Sequence, residues 1–511
     1  VFFSKSDFAI FMKPSDAFEL IQSLSMSEKR QFVVYANRHV IGESNKYLSL
    51  FHLLQEMPVY DELQLINLVK KQGLVAKYLK ADEHYLYQLL LESLVMQHDN
   101  KSANLLVKSA LLKIEILFDK GLYRQCKKEI VKAIAISIKY ELFEYHINLL
   151  LWERKAQVMS PAKNYAIHSL HEKITLAITQ LQHFTTYTKL YDKAVELRQS
   201  VIKTRTTFAI QKFKKLLQHD LLLSPAKQSV QMQIRYHQIY AMWYYIHKDK
   251  TNELMHNKHI IQLLDKHPHF KEEYPLDFIA IYSRILSITK SGPAITFEKE
   301  LTAFRSFKPL SQSITYDNIV AQIFTQSYMI QVSQLLSNKL FYTAGRILPE
   351  LQTGIRYHKR FINPVTLLSL YFITAYTAFA NGNLTIARQY VNNIINEFDD
   401  SLRPDIYNFS RLLNLMLHLE LRNYSNIKSE YASVSYYFNK NKQLFKTENL
   451  VLSYFSNPKN YMYNSNGALL VLQDNLEKIK EIKIEQFALN YIDFFTWIKA
   501  RLSRQPMAEV K

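Results

Sequence analysis

Glycine is scarce in this chain, with 8 in 511 residues. Tight β-turns, dinucleotide loops and phosphate-binding loops all draw on glycine, because they need backbone angles closed to other residues. A chain so poor in glycine, and rich in Leu, Ile, Lys, Gln, Asn and Tyr, reads as all-α. Proline is sparse too, with 13 residues, several of them at helix boundaries. The single cysteine, Cys126, has no second cysteine to pair with, which points to a reducing compartment and a cytoplasmic location. Long apolar spans are also missing. Residues 361–387 carry no charge, but they include Pro364 and the turn Asn381-Gly382-Asn383. The apolar helical run left is about 15 residues, short of the roughly 20 a span needs.

The same scarcity removes most catalytic signatures. There is no Gly-rich phosphate loop, no G-x-S-x-G elbow and no acid pair in a recognisable loop. His171-Glu172 has no second histidine at metalloprotease spacing. The reading is non-enzymatic, with no catalytic residue, cofactor or metal assigned.

What is present is a long, folded and basic chain. Its 511 residues exceed one hydrophobic core, so it is several domains or a repeat array. With 48% hydrophobic and 21% charged residues it is not a disordered chain. A net charge of +19 suits acidic proteins, nucleic acid or anionic membrane.

Residues 1–11 carry Lys5 and Asp7 inside what would be the apolar region of a secretory signal. They are set aside as a non-native or disordered leader. Helix signals then begin. Pro14-Ser15-Asp16 is an N-cap cluster, and Ser25 with Glu28 fits a capping box. Further helices follow at Lys46–Glu56, after Asp61 up to a C-cap at Gly73, and from Asp82. Residues 12–100 read as an N-terminal helical region that caps what comes after. Residues 101–503 alternate helices and short polar turns, with helix starts at the two Ser-Pro-Ala-Lys copies, Ser160–Lys163 and Ser224–Lys227. Residues 504–511 hold Pro506 and no apolar periodicity, and read as a frayed tail.

One stretch organises the array: Ala375 to Phe398, two helices joined at Gly382. Around that glycine, Ala375, Ala378, Leu384, Ala387 and Ile394 fall at the offsets of a packed helix hairpin. The same offsets around Gly121 give Ile114, Leu117, Tyr123, Cys126 and Ala133. Looser copies keep the packing slots without the glycine. Phe341, Ala344 and Leu351 follow Lys339, and Tyr424, Ile427 and Val434 follow Arg422. Cys126 occupies the small-residue slot that Ala387 fills elsewhere, so it reads as a buried packing residue and not a reactive thiol.

This pattern resembles the tetratricopeptide repeat, in which Gly-x-Tyr-x-x-Ala marks the turn. The slots at Ala344, Ala387 and Ile427 recur about every 40 residues, longer than the family's roughly 34, so the resemblance is to a divergent, longer-helix form. The opening PSDAFELIQSLSMSEKRQF also resembles uncharacterised Asn- and Lys-rich helical-repeat proteins of bacteria. The resemblance implies antiparallel hairpins stacked in a right-handed α-solenoid. It also implies a protein or peptide partner on the concave face built from the first helix of each pair.

Two sharper features compete with ordinary packing. His256 and His259 share a helix face at metal-pair spacing, without companion cysteines; a solvated polar face is the favoured reading. Basic residues run from Lys189 to Lys215, with Lys203, Arg205, Lys212, Lys214 and Lys215 as candidate contacts to an anionic partner. Phe208 and Phe213 interleave them, at core spacing. The leading reading is a protein-interaction scaffold or adaptor. The alternatives are a basic repeat regulator associating with nucleic acid, and a peptide-responsive regulator whose N-terminal helices are the effector.

Overall fold

A computed structural model of the chain describes residues 16–38, 45–58, 60–72, 75–98, 102–160, 167–204, 207–223, 229–308, 316–441, 445–462, 466–482, 485, 489 and 491–510. Among these residues every regular element is helical and no strand occurs; the chain is all-α, as its composition predicts. None of the described helices is long and apolar enough to cross a membrane. The described residues form two units, one within 1–193, 214–236 and 312–314, the other within 194–213, 237–311 and 315–511.

The first unit begins with α1 (Asp16–Ser23), α2 (Met26–Arg38), α3 (Lys46–Glu56), α4 (Glu62–Lys71) and α5 (Leu79–His98). These close around Phe32, Phe51, Leu54, Leu86 and Leu90. Ser25 and Glu28 form the capping box their spacing predicts: the Ser25 amide donates to Glu28 Oε2 at 2.7 Å, and the Glu28 amide donates to Ser25 Oγ at 3.3 Å. A second core joins α6 (Ala103–Asp119), α7 (Tyr123–Lys139) and α8 (Phe143–Met159). Then come α9 (Ile167–Thr204), α10 (Thr207–Leu216), α11 (Asp220–Leu223) and α12 (Val230–Ile246). The division between units falls inside α9, α10 and α12.

The second unit continues through α13 (Lys250–Lys266), α14 (Pro268–Glu273), α15 (Pro275–Thr289), α16 (Ala294–Ser306) and α17 (Tyr316–Ser337). After it come α18 (Phe341–Arg346), α19 (Leu348–His358), α20 (Pro364–Ala380), α21 (Leu384–Glu397), α22 (Pro404–Glu420) and α23 (Tyr424–Asn441). The last are α24 (Lys446–Ser456), α25 (Lys459–Met462), α26 (Asn466–Ile479) and α27 (Phe494–Ser503). One core runs from Ala321 to Met507. The uncharged α20 is its axis, with nearly every residue from Leu367 to Ala380 buried. The α18/α19 break comes at Ile347, two residues before Pro349; a proline there has no amide to carry the helix ladder across.

The hairpin turns share one geometry. Gly121, Glu141, Lys248, Lys339, Gly382, Arg422 and Arg504 all have φ between 51° and 75°. At each, the next amide reaches back five residues to a helix carbonyl at 2.8–3.1 Å. That is the Schellman closure, which satisfies carbonyls the helix end leaves open. Lys339 and Arg422 occupy the slots where the sequence lacks glycine, and they adopt the glycine conformation. A left-handed backbone costs a side-chain-bearing residue about 1–2 kcal/mol. Arg422→Gly is therefore expected to stabilise the protein by about 0.5–1 kcal/mol, and Gly382→Ala to destabilise it by about 1 kcal/mol. Urea denaturation read by circular dichroism checks both, and a destabilised Arg422→Gly contradicts the account.

The end of the chain corrects the sequence expectation of a frayed tail. Residues 506–510 turn once around Met507–Glu509, with Met507 buried in the core and Pro506 against the Gly382 turn. A single apolar anchor has no period, so sequence patterning does not register it.

At the start of α24, the Glu485 carboxylate accepts the amides of Lys446 and Thr447 at 3.2 and 2.9 Å, capping a helix 38 residues away in sequence. Beside it Glu448 is buried, its Oε2 without a hydrogen bond. Burial, and then the charge of Glu485, push its carboxyl up to about 7. A folded value above the unfolded one gives stability that is full below the unfolded value and is lost as pH rises through 7. Glu448→Gln should thus raise stability at pH 8 by about 1–2 kcal/mol and leave it unchanged near pH 4, measured as urea midpoints at the two pH values.

Candidate functional site

A groove of about 560 Å³ opens in the second unit. Three helices build its walls, and each is the first helix of a hairpin. On α17, Met329, Ile330, Ser333, Leu336 and Ser337 face it. On α20, Ser369, Phe372, Ile373 and Tyr376 do. Both sets follow the three- and four-residue spacing that puts side chains on one helix face. Ile406 and the N-cap residue Arg403 come from the start of α22, and Lys290 from the end of α15. Leu489, Tyr491 and Asp493 complete the lining from the approach to α27.

That approach is fixed by hydrogen bonds to the hairpins. The Asp493 amide donates to Tyr376 Oη at 2.8 Å, and Lys339 Nζ lies 3.1 Å from Asp493 Oδ2. Tyr491 stacks on Phe409 with ring centroids 4.5 Å apart and gives its hydroxyl proton to Asp405. Arg403 holds the same carboxylate in a two-pronged pair, Nε to Oδ1 at 2.9 Å and Nη2 to Oδ2 at 2.6 Å.

The electrostatics follow from these pairings. Burial pushes the Asp405 carboxyl up, but the bonds from Arg403 and Tyr491 outweigh it and hold it below the usual carboxylate value. Burial, then the bond to Asp405, pushes Tyr491 up to about 12. Lys290 lies below the usual lysine value because it is partly desolvated and because Lys250 and Arg284 are near. The groove serines spend their protons on helix carbonyls: Ser369 on Val365 at 3.0 Å and Ser337 on Ser333 at 2.7 Å. The described lining contains no histidine or cysteine. Apolar walls with a few fixed polar groups are the chemistry of binding.

The predicted packing residues fall at the turns and crossings of their hairpins. Ile114, Cys126, Ala133, Ala344, Ala375, Ala378, Ala387, Ile394 and Ile427 are buried. Leu117, Tyr123, Leu384 and Tyr424 are half-buried, and Gly121 and Gly382 sit at the exposed turns. None of them except the α20 pair lies on a helix that lines the groove. Lys212, Lys214 and Lys215 are exposed, with Lys212 Nζ 4.3 Å over the exposed ring of Phe208, whereas Phe213 is buried. Arg205 and the side chain of Lys203 lie outside the described residues, as do Gly73 and most of both Ser-Pro-Ala-Lys copies. Sequence reasoning missed Lys290, Arg403, Asp405 and Tyr491. Arg403-Pro404-Asp405 was the one local signal available: a helix start with its ion pair built in.

A second cluster joins α12 to α13. His237 Nδ1 and His256 Nδ1 are 2.9 Å apart, and His259 stacks on His237 at 5.1 Å. The rings of Tyr240 and Tyr244 stack against His256. Among the described residues no three His, Cys, Asp or Glu side chains converge to hold a metal. Burial first, then the neighbouring histidines, lower both His237 and His256 to about 4. The unfolded chain takes up protons near pH 6.5, so it binds more of them than the fold does between that value and 4. Stability is full above pH 6.5 and falls as pH drops toward 4. The expected loss from pH 7 to pH 5 is about 1–3 kcal/mol, and His237→Phe with His256→Phe should flatten it. Urea midpoints across that range supply the check.

Comparison with protein-family models, curated proteins and solved structures returned no match to the chain.

Proposed function

We propose that the chain is a non-enzymatic scaffold that binds a protein or peptide along the first-helix face of its hairpins. One observation carries this reading: the groove of about 560 Å³ is walled by α17, α20 and α22, the leading helices of three consecutive hairpins. In this reading the hairpins stack as a divergent tetratricopeptide-like, right-handed array. Such arrays present their leading helices as an extended binding surface. Six of the turns of one geometry join successive helices and support the stacking, since repeated turns orient successive helices alike. In this reading the chain works in a reducing compartment such as the cytoplasm, which its lone cysteine supports.

Affinity capture from native cells, in parallel with a Ser333→Trp variant, tests the proposal. Ser333 is half-exposed on the groove wall, so a large ring fills the groove without entering the core. A partner held by the wild type, lost from the variant and insensitive to nuclease supports the reading. Partners retained in full by Ser333→Trp refute the groove as their site. Partners released by nuclease favour a nucleic-acid role instead.

A further inference from the structure

The groove's charges are unevenly matched. Three cations line it: Lys290, Lys339 and Arg403. Lys339 has Asp493, and Arg403 has Asp405. Lys290 has no carboxylate within ion-pair distance among the described residues. The charged groups that act on it are Lys250 and Arg284, both cationic. Arg284 is itself paired with Glu253. Lys290 caps the carboxyl end of α15, where it meets the partial negative charge of a helix terminus but no full counter-charge. A lysine is readily solvated elsewhere on a surface. Here it is half-buried at the end of an apolar wall formed by Met329, Leu336, Phe372, Ile373, Ile406 and Leu489.

We propose that the groove takes an apolar peptide segment bearing a carboxylate, with the carboxylate pairing to Lys290 and the apolar side chains lying on the α17 and α20 walls. The inference rests on the peptide-binding reading and specifies its ligand. Charge complementarity selects the anion, because the chain neutralises the other two groove cations itself. The polar groups select a peptide over a free fatty anion. Gln326 and Ser333 present amide and hydroxyl groups, which a peptide backbone uses and an alkyl chain does not. The lowered Lys290 value fits the same picture, since a bound carboxylate would restore the charged ammonium.

The test uses two naphthalene fluorophores on the full chain: 8-anilinonaphthalene-1-sulfonate, which is apolar and anionic, and N-phenyl-1-naphthylamine, its uncharged counterpart. Lys290→Met is expected to weaken the anionic probe about tenfold and leave the neutral one within twofold, while Lys290→Arg keeps both. The peptide acetyl-Leu-Phe-Ile-Glu-Leu-amide should then displace the anionic probe about tenfold better than its Glu→Gln counterpart, and Lys290→Met should erase that difference. Equal displacement by the two peptides overturns the charge assignment. Displacement by decanoate but by neither peptide overturns the peptide as occupant. If Ser333→Trp removes both probes while Lys290→Met changes neither, the groove still binds apolar groups and only this inference falls. If Ser333→Trp leaves both probes bound, the peptide-binding reading falls with it.

Discussion

Trp497→Ala is expected to destabilise the second unit by about 3–5 kcal/mol, the range for removing a large aromatic from a packed core. The indole is fully buried. Its ring stacks 6.5 Å from Phe455 and meets Tyr454 edge-on at 6.2 Å. Its Nε1 proton goes to Glu420 Oε1 at 3.0 Å, and Arg501 Nη1 holds the other carboxylate oxygen at 3.2 Å. Two effects are therefore mixed, a lost packing volume and a lost donor. Trp497→Phe separates them. It keeps most of the ring and leaves Glu420 its arginine, so about 1–2 kcal/mol is expected. Guanidinium denaturation followed by circular dichroism gives both numbers. Alanine and phenylalanine variants of equal stability would mean the indole is not a packing anchor.

The second large effect is electrostatic. Glu253 is buried on α13, and the Arg284 side chain from α15 donates Nε–H to its carboxylate. The guanidinium also stands over Tyr245 at 4.3 Å. Arg284→Ala strands a carboxylate in the interior, an error that costs about 3–5 kcal/mol, whereas an intact buried pair adds little over an apolar pair. The double variant Arg284→Ala, Glu253→Gln removes the stranded charge and should recover at least half of the loss. Thermal and urea unfolding of the single and double variants check this. If the double variant is no better than the single, then lost packing over Tyr245 sets the cost and the buried charge does not.

Much of the architecture is legible from local patterns because helices and their caps are local objects. Gly121 and Gly382 mark turns directly, since their φ values suit glycine above other residues. Lys339 and Arg422 are found only through the apolar slots that follow them. The equivalent turns at Glu141 and Lys248 leave no trace, because nothing in a long charged side chain announces a left-handed backbone. Glu141 then takes on a further task, accepting the amides of Val230 and Gln231 at the start of α12. No window of sequence connects residues 89 positions apart. The groove is illegible for the same reason. Lys290, Met329, Phe372, Arg403 and Tyr491 come from five separate segments, each ordinary by itself. The basic run from Lys189 illustrates the converse. Its composition is conspicuous, yet Lys212, Lys214 and Lys215 are simply exposed, while Phe213 packs inward.

The approach to α27 has a consequence for the order of folding. The α20–α21 and α22–α23 hairpins are made of contacts close in sequence, which form quickly. Asp493 instead bonds to Tyr376 across 117 residues, and its helix neighbour Thr496 to Lys339 across 157. These closures cannot begin until the segment near residue 493 has left the ribosome. During synthesis the leading-helix wall of α20 and α22 therefore waits uncovered, with Phe372 and Phe409 lacking the Tyr491 ring that covers them. A nascent chain paused before that segment is the form most exposed to aggregation, and emergence of α27 is the event that ends the exposure.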